Sequence, residues 1–360
     1  GQTGTNIDDS PNNMPELFMD KRYWNQTLEI WRLLASRYAT ESVVLGYDLL
    51  NEPIPNEWQY KYSVDLARLY REITAVIRSV DSNHLIVYEG SHWATNWDIF
   101  TEVWDANSLL QFHKYWSPPD KASIQKFLDF REKLGLPIYM GEGGENNAEW
   151  IYTAFRLYER YDIGWNFWTW KKIETVTSPL SVKAPSGWGE IRNFVQNGDG
   201  ISPERAKSIF TELLHNFKVK NCTWNQEVVA ALLAENPLVI PAWGFGFYGE
   251  GESYQAHRTH TLNGVREEDS VTLEYREGNI GGYNFEQTDG RNYLAAEEII
   301  VKLEKGDWLE FDVDSTIELS KYRVETADGA ASNISVMESK RGFKITAHEF
   351  VRLLRIRRIN

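Results

Sequence analysis

From the start to about residue 235, short runs of β-branched and aromatic residues alternate with longer stretches whose apolar positions recur every three to four residues. The short runs lie at 43–49, 85–89, 109–115, 138–142 and 164–170 and read as strands. Between them, "YKYSVDLARLYREITAVIRSV" (60–80) sets Val64, Leu66, Leu69, Ile73, Val76, Ile77 and Val80 at roughly helical spacing. The stretches 123–134 and 149–161 repeat that pattern, and a helix over about 21–39 precedes the first strand. Strands that alternate strictly with helices join by right-handed crossovers into a parallel sheet, so this part of the chain is α/β. Pattern alone leaves a barrel and an open sheet as alternatives.

The texture changes near "AENPLVIPAW" (234–243), where two prolines interrupt the periodicity. Beyond it "SVTLEYREG", "WLEFDVDSTIEL", "YRVETADG" and "FVRLLRIRRIN" alternate apolar and polar residues between turns of Gly, Asp and Asn, and no helical pattern returns. The expected organisation is an α/β domain over 1–237 and an all-β sandwich over 238–360.

Composition agrees with more than one core: the chain has 360 residues, 42% of them hydrophobic. A formal charge of -14 argues against a nucleic-acid partner, which a basic patch would normally meet. No run approaches the ~18 apolar residues of a membrane span, and "GQTGTNIDDSPNN" lacks the basic and apolar regions of a signal peptide. The single cysteine, Cys222, excludes an internal disulfide framework and a cysteine-rich metal site. Aromatic residues make up 14% of the chain; most are expected in cores, and the remainder suit the C–H faces of sugars.

In parallel α/β sheets, ligands bind beyond the carboxyl ends of the strands. Those ends supply Asn51-Glu52, then Glu89 with Ser91, His92 and Trp93, then His113 and Tyr115, then Glu142, then Asn166, Trp168 and Trp170. Two or three carboxylates, a His, a Tyr and several Trp suit glycoside cleavage, which needs one carboxylic acid to protonate the leaving oxygen and a second carboxylate as nucleophile or base. Each element also has a plain structural reading. A strand-end Glu can cap the next helix, "GEGG" can be an ordinary turn or one whose glycines admit a ligand, and Glu89 fits a supporting hydrogen-bond role. Side-chain alternation puts His113 with Tyr115 on one face, and Asn166, Trp168 and Trp170 on another.

Taken together, "LLNEP", "QFHKYW", "IYMGEGG" and "GWNFWTWKK" resemble, in order and separation, family 5 glycoside hydrolases of the clan of (β/α)8 barrels with two catalytic glutamates. The resemblance implies that Glu52 is the acid/base, that Asn51 binds the sugar 2-hydroxyl, and that Glu142 is the nucleophile, oriented by Tyr115. His113 falls on the family's sixth-strand His, and Trp168 on the Trp that stacks under the sugar. It further implies a retaining hydrolase of a β-glucan or related plant glycan, secreted or periplasmic, with no catalytic cofactor or metal. Retention corresponds to carboxyl groups ~5–5.5 Å apart, with burial beside a second carboxylate raising the pKa of Glu52.

The first strand matches the family's fourth, so five strand–helix units stand where a closed barrel has eight. The expectation is an N-terminally incomplete barrel whose open edge is met by a homodimer partner or a complementing N-terminal fragment. A truncated, non-catalytic glycan-binding protein is the alternative. The C-terminal stretches "GEGESYQA", "GGYNFEQTDGRNY" and "EKGDWLEFDV" resemble family 6 and family 35 carbohydrate-binding modules, which implies a jelly-roll that often holds a structural calcium. In that part Trp308 reads as core, and Tyr283 and Tyr293 as ligand candidates.

Overall fold

The computed structural model describes residues 14–256, 262–278, 284–313 and 317–359, so the opening "GQTGTNIDDSPNN" and Tyr283 lie outside the described residues. The chain divides into two compact units. The first takes the described residues up to Lys114 with Ile124–Gly143 and Asp162–Asn166; the second takes Tyr115–Ser123, Gly144–Tyr161 and the described residues from Phe167 on.

In the first unit, β1 (Gly46–Asp48), β2 (Leu85–Glu89), β3 (Ser108–His113), β4 (Ile138–Glu142) and β5 (Gly164–Trp165) lie side by side in that order, and all are parallel. Helices α1 (Glu16–Met19), α2 (Lys21–Tyr38), α3 (Trp58–Arg78) and the short α4 (Ser91–Ala94) fall before or between the first strands, and α5 (Lys121–Leu134) connects β3 to β4. The Asp20 side chain accepts the Arg22 N–H at the start of α2, which ties down an amide that the helix leaves unpaired. Helix α3 buries Leu66, Leu69, Ile73 and Ile77 as its spacing predicts, and Tyr70 with them. Val64 and Val80 depart from that reading: Val64 faces solvent, and Val80 lies past the helix end. Between α3 and the sheet, Tyr70, Tyr88, Phe100 and Trp104 form an edge-to-face and tilted cluster, and Phe127 of α5 stacks on Phe112 of β3 at 4.1 Å.

Three strands are shorter than the apolar runs that predict them. Val43 and Leu45 are exposed ahead of β1, β3 ends at His113, and β5 ends at Trp165 with one further bond from the Asn166 N–H to the Met140 carbonyl. Aromatic and β-branched residues continue past each pairing partner, so composition extends the run where backbone pairing does not.

In the second unit, α6 (Ala148–Arg160) is buried over most of its length and packs with α9 (Gln226–Leu233). Helices α7 (Trp188–Asn197) and α8 (Pro203–Asn216) lie between them in sequence, as does a small sheet of β6 (Lys171–Ile173), β7 (Leu180–Val182) and β8 (Thr223–Trp224). Nine strands then build two antiparallel sheets. One orders β10 (Tyr254–Gln255), β13 (Trp308–Asp312), β16 (Gly342–Ala347) and β15 (Ile334–Ser339). The other orders β11 (Thr272–Tyr275), β12 (Ile299–Leu303), β17 (Val351–Arg358) and β14 (Tyr322–Thr326), with β9 (Val239–Pro241) pairing β17. Their alternating burial, as in Leu273 and Tyr275 or Leu309 and Phe311, gives each sheet one apolar face. Trp308 is half-buried under the Lys344 ammonium instead of sitting in the core, and Tyr293 is buried against Trp243 and Phe285, which removes it as an exposed ligand group.

The sequence boundary at 237/238 falls inside this unit. Glu149 of α6 and Arg355 of β17 form a buried ion pair at 2.9 Å, and Arg355 also bonds Glu298. Burial raises the Glu149 carboxyl against the pull of Arg355, so neither charge is readily separated from the other.

Candidate active site

Strand β1 runs through the buried Leu49 and Leu50 into Asn51 and Glu52. Glu52 turns the chain with φ 44, a left-handed conformation that costs a residue with a Cβ about 1–2 kcal/mol. Its N–H, aimed by that turn, donates to Glu89 Oε2 at 2.6 Å. A charge-assisted bond of this kind is about twice as strong as a neutral one and offsets the strain. Ile54, also left-handed, is fully buried, while Asn51 is exposed beside Glu52 and its amide makes no hydrogen bond among the described residues. The loop is fixed at its far side by two bonds: the His92 N–H donates to the Pro53 carbonyl, and the Asn56 N–H donates to His92 Nδ1. Burial and the Lys126 charge lower the His92 pKa, which suits a neutral imidazole that accepts a hydrogen bond at Nδ1.

His113 ends β3 and is buried. Its Nδ1 lies 2.7 Å from Glu52 Oε1 and 3.6 Å from Glu142 Oε2, and its Nε2 lies 3.5 Å from Glu89 Oε1. Desolvation disfavours the imidazolium here, but the bonds to Glu52 and Glu89 and the charges of Glu89 and Glu142 outweigh it, and the pKa is raised to about 10. Gln111 is consistent with a proton on Nε2 as well. Its Nε2 donates to Glu89 Oε1 at 2.7 Å and to Asp48 Oδ2 at 2.9 Å, which uses both amide hydrogens. None remains for His113 Nε2 at 3.2 Å, so that nitrogen keeps its own proton and turns it toward Glu89. Crowding by surrounding protein and the Glu89 carboxylate both push Asp48 well above the usual carboxylate range.

Glu142 ends β4 and reaches His113 through an irregularity of the ladder: Phe112 pairs with Met140, but His113 pairs with Glu142, so Gly141 is skipped. The glycines of "GEGG" serve this packing. A Cβ on Gly141 would lie 2.1 Å from the Gln111 side chain, and one on Gly143 would lie 2.8 Å from the Lys114 carbonyl oxygen. Neighbouring protein, not an incoming ligand, fills the space that these two glycines leave.

Glu52, His113 and Glu142 each present one ligand atom within 4.8 Å of the other two, a spacing that a metal ion could use. His113 opposes that use, because its Nδ1 proton is already donated to Glu52 and held up to about pH 10. The chemistry best served is that of two carboxyl groups with an imidazolium between them.

Of the residues named from sequence, Glu52, Asn51, Glu89, His113, Glu142 and Asn166 fall in the first unit, and the structure joins Glu52, Glu89 and His113 through hydrogen bonds, with Glu142 in ion-pair range of His113. Tyr115 and Trp168 fall in the second unit. There Tyr115 packs on Trp116 at 5.5 Å, and Trp168 is 45% exposed, bridges Gly144 and precedes a cis peptide. Since β3 ends at His113 and β5 at Trp165, strand alternation does not extend to Tyr115 or from Asn166 to Trp170. Gln111 and Asp48 were not singled out. For Gln111 the signal was present, since it stands two residues before His113 on the same face of β3.

Residues 11–174 match the family model "Cellulase (glycosyl hydrolase family 5)". The chain is 25% identical over 235 residues to "Endoglycoceramidase" of Hydra vulgaris, covering 59% of this chain and 44% of that protein. It is 23% identical over 220 residues to "Endoglucanase C" of Acetivibrio thermocellus, covering 44% of this chain and 63% of the relative. The chain therefore spans about half the length of the curated relatives it matches. Among solved structures, Thermotoga maritima Cel5A in complex with cellobiose aligns with a TM-score of 0.37 at 24% identity, over 42% of this chain and 61% of that one. The fold is α/β of the (β/α)-barrel type, with five parallel strands described, followed by antiparallel sheets. No helix among the described residues is long and apolar enough to cross a membrane.

Proposed function

We propose that the protein is a retaining β-glycoside hydrolase acting on a β-glucan or a related β-linked glycan, with Glu142 as nucleophile and Glu52 as acid/base. The observation that carries this reading is the approach of the two strand-end carboxylates: an oxygen of each lies within 4.8 Å of the other, with His113 between. An inverting pair would stand ~6.5–9.5 Å apart to admit a water, so the close pair favours direct attack. In the first step a Glu142 oxygen bonds to the anomeric carbon while Glu52 gives its proton to the departing glycosidic oxygen. In the second, Glu52 takes a proton from water, whose oxygen displaces Glu142 and restores both groups. The His113 imidazolium supplies a counter-charge to the carboxylates, and Glu89 fixes the Glu52 backbone.

Asn51 as the 2-hydroxyl partner, Tyr115 as the orienting group for Glu142 and Trp168 as a sugar platform rest on the family resemblance, supported by the exposure of Asn51 and Trp168. Relatives carry the names endoglycoceramidase, endoglucanase, beta-xylosidase and mannan endo-1,4-beta-mannosidase, so the reading commits to the β-linkage and not to one sugar. A polysaccharide substrate cannot enter a cell intact, which favours a secreted or periplasmic location.

Turnover of an activated aryl β-glycoside tests the assignment. Glu142→Gln is expected to lower kcat by about a thousandfold or more, whereas Glu52→Gln keeps part of the activity because the aryl leaving group needs no acid. Full activity in both variants overturns the proposal, and saturable binding by the wild-type chain without product assigns it instead to glycan binding alone.

A further inference from the structure

The small sheet of β6, β7 and β8 holds two large indoles in solvent. Trp170, the residue before β6, is 53% exposed, and Trp224, the last of β8, is 54% exposed. Their rings meet edge to face with centroids 6.4 Å apart. The backbone sets this pairing: the Leu180 N–H donates to the Trp170 carbonyl, and Leu180 is paired in register with Trp224. Two adjoining exposed indoles differ from the scattered apolar residues of an ordinary surface and mark a contact site.

The chemistry of the neighbouring cleft narrows the ligand. It has a volume of about 390 Å³ and takes Trp224 together with Thr175, Ser181, Thr223, Asn225 and Glu227 into its wall, with no Lys or Arg. The Asn225 amide nitrogen gives one hydrogen to the Val176 carbonyl, which leaves its second hydrogen and its oxygen to meet a ligand. Ser181 Oγ accepts the Thr175 N–H and keeps its own hydrogen to give, while Thr223 and Glu227 are exposed. An anionic ligand would meet Glu227 with no counter-charge. A small cation would find a single carboxylate. A neutral, polyhydroxylated ligand satisfies both parts: its C–H face covers an indole and its hydroxyls donate to Glu227 and Asn225.

We propose that Trp170, Trp224 and this cleft form a binding site for a neutral oligosaccharide, built from residues other than the Glu52 and Glu142 carboxylates. Thr175, Ser181, Thr223, Trp224, Asn225 and Glu227 lie beyond the segment 11–174 that the family model matches, Trp170 and the cleft residues Asn146, Asn147 and Ala148 lie within it, and the whole site lies within the second unit. It requires no bond-breaking step and stands whether or not the catalytic assignment holds.

The test uses the full chain carrying Glu142→Gln and 5-fluorotryptophan, with the Trp170 and Trp224 ¹⁹F resonances assigned from single Trp→Phe variants. The probes are β-1,4-linked gluco-, xylo- and manno-hexaose, taken to about 10 mM to reach weak sites. Both resonances are expected to move together and saturably with at least one hexaose. Trp224→Ala should then weaken the affinity read at Trp170 by about tenfold or more, and Glu227→Gln by about three- to tenfold. Glu227 is exposed, so the second variant reports on binding even if the first misfolds. Resonances unmoved by all three sugars, or moved by detergent micelles and not by sugar, overturn the proposal. Absence of aryl-glycosidase turnover in the wild-type chain bears only on the catalytic reading, because this signal is recorded without turnover.

Discussion

Exchanging Glu89 for Gln removes one negative charge and almost no volume, and it isolates what that buried carboxylate does. Glu89 is 1% exposed and touches three members of the site: the Glu52 N–H, Gln111 Nε2 and, at 3.5 Å, His113 Nε2. It is a positioning residue, acting through Glu52 and His113. With the charge gone, the His113 pKa should fall from about 10 toward its ordinary range, since the Glu89 bond and charge are among the causes that raise it. A group whose folded pKa is raised adds stability that is full below its unfolded value, about 6.5, and is lost as pH rises through the folded one. The wild-type Tm should therefore decline between pH values of about 6.5 and 10, and the Glu89→Gln Tm should decline less over the same window. The alkaline limb of kcat/KM for the aryl glycoside should move down by about one pH unit or more. Equal limbs and parallel Tm curves would show that Glu89 only fills space.

At the level of the element, β3 and β4 work as one part because Gly141 admits the Gln111 side chain. Gly141→Ala would put a Cβ 2.1 Å from Gln111, whose amide is pinned by Asp48 and Glu89 and cannot step aside freely. The expected loss is about 1–3 kcal/mol of unfolding free energy, measured by urea titration, with lower kcat. Gln111→Ala should make Gly141→Ala nearly neutral, so the two costs combine far below their sum. If the losses simply add, the contact is not what the glycine provides. These two strands also show how much the sequence discloses. Helices over Lys21–Tyr38, Trp58–Arg78, Lys121–Leu134 and Ala148–Arg160 follow from apolar spacing, because a helix buries a continuous stripe of side chains that the sequence records directly. The strand-end carboxylates Glu52 and Glu142 follow from the change from apolar to polar residues. Strand ends are less legible, since pairing depends on a neighbour distant in sequence. Alternation accordingly failed for Tyr115 and Trp168, while the skipped Gly141, which brings Glu142 opposite His113, carries no local signature.

For the whole chain, the open question of association turns on β1. Among the described residues β1 pairs only with β2, and its other backbone edge faces no strand. Leu45, just ahead of it, is 80% exposed and Val43 is 89% exposed, with no lysine or proline within β1 itself to deter pairing. Parallel sheets are normally covered on both faces and rarely present an apolar edge to water, because an open ladder of N–H and C=O groups recruits another strand. We propose that this edge takes a further strand, from a second copy or from a complementing segment. Light scattering of the purified chain at low micromolar concentration should therefore give a mass above that of the monomer. Leu45→Lys, placed beside the edge where the side chain already meets solvent, should return the mass to that of one chain while leaving the far-ultraviolet circular dichroism unchanged. A wild-type chain that stays monomeric overturns the proposal for a second copy. Retention of the higher mass by Leu45→Lys would move the contact elsewhere, to the exposed Ile30 and Leu33 of α2 or to another surface.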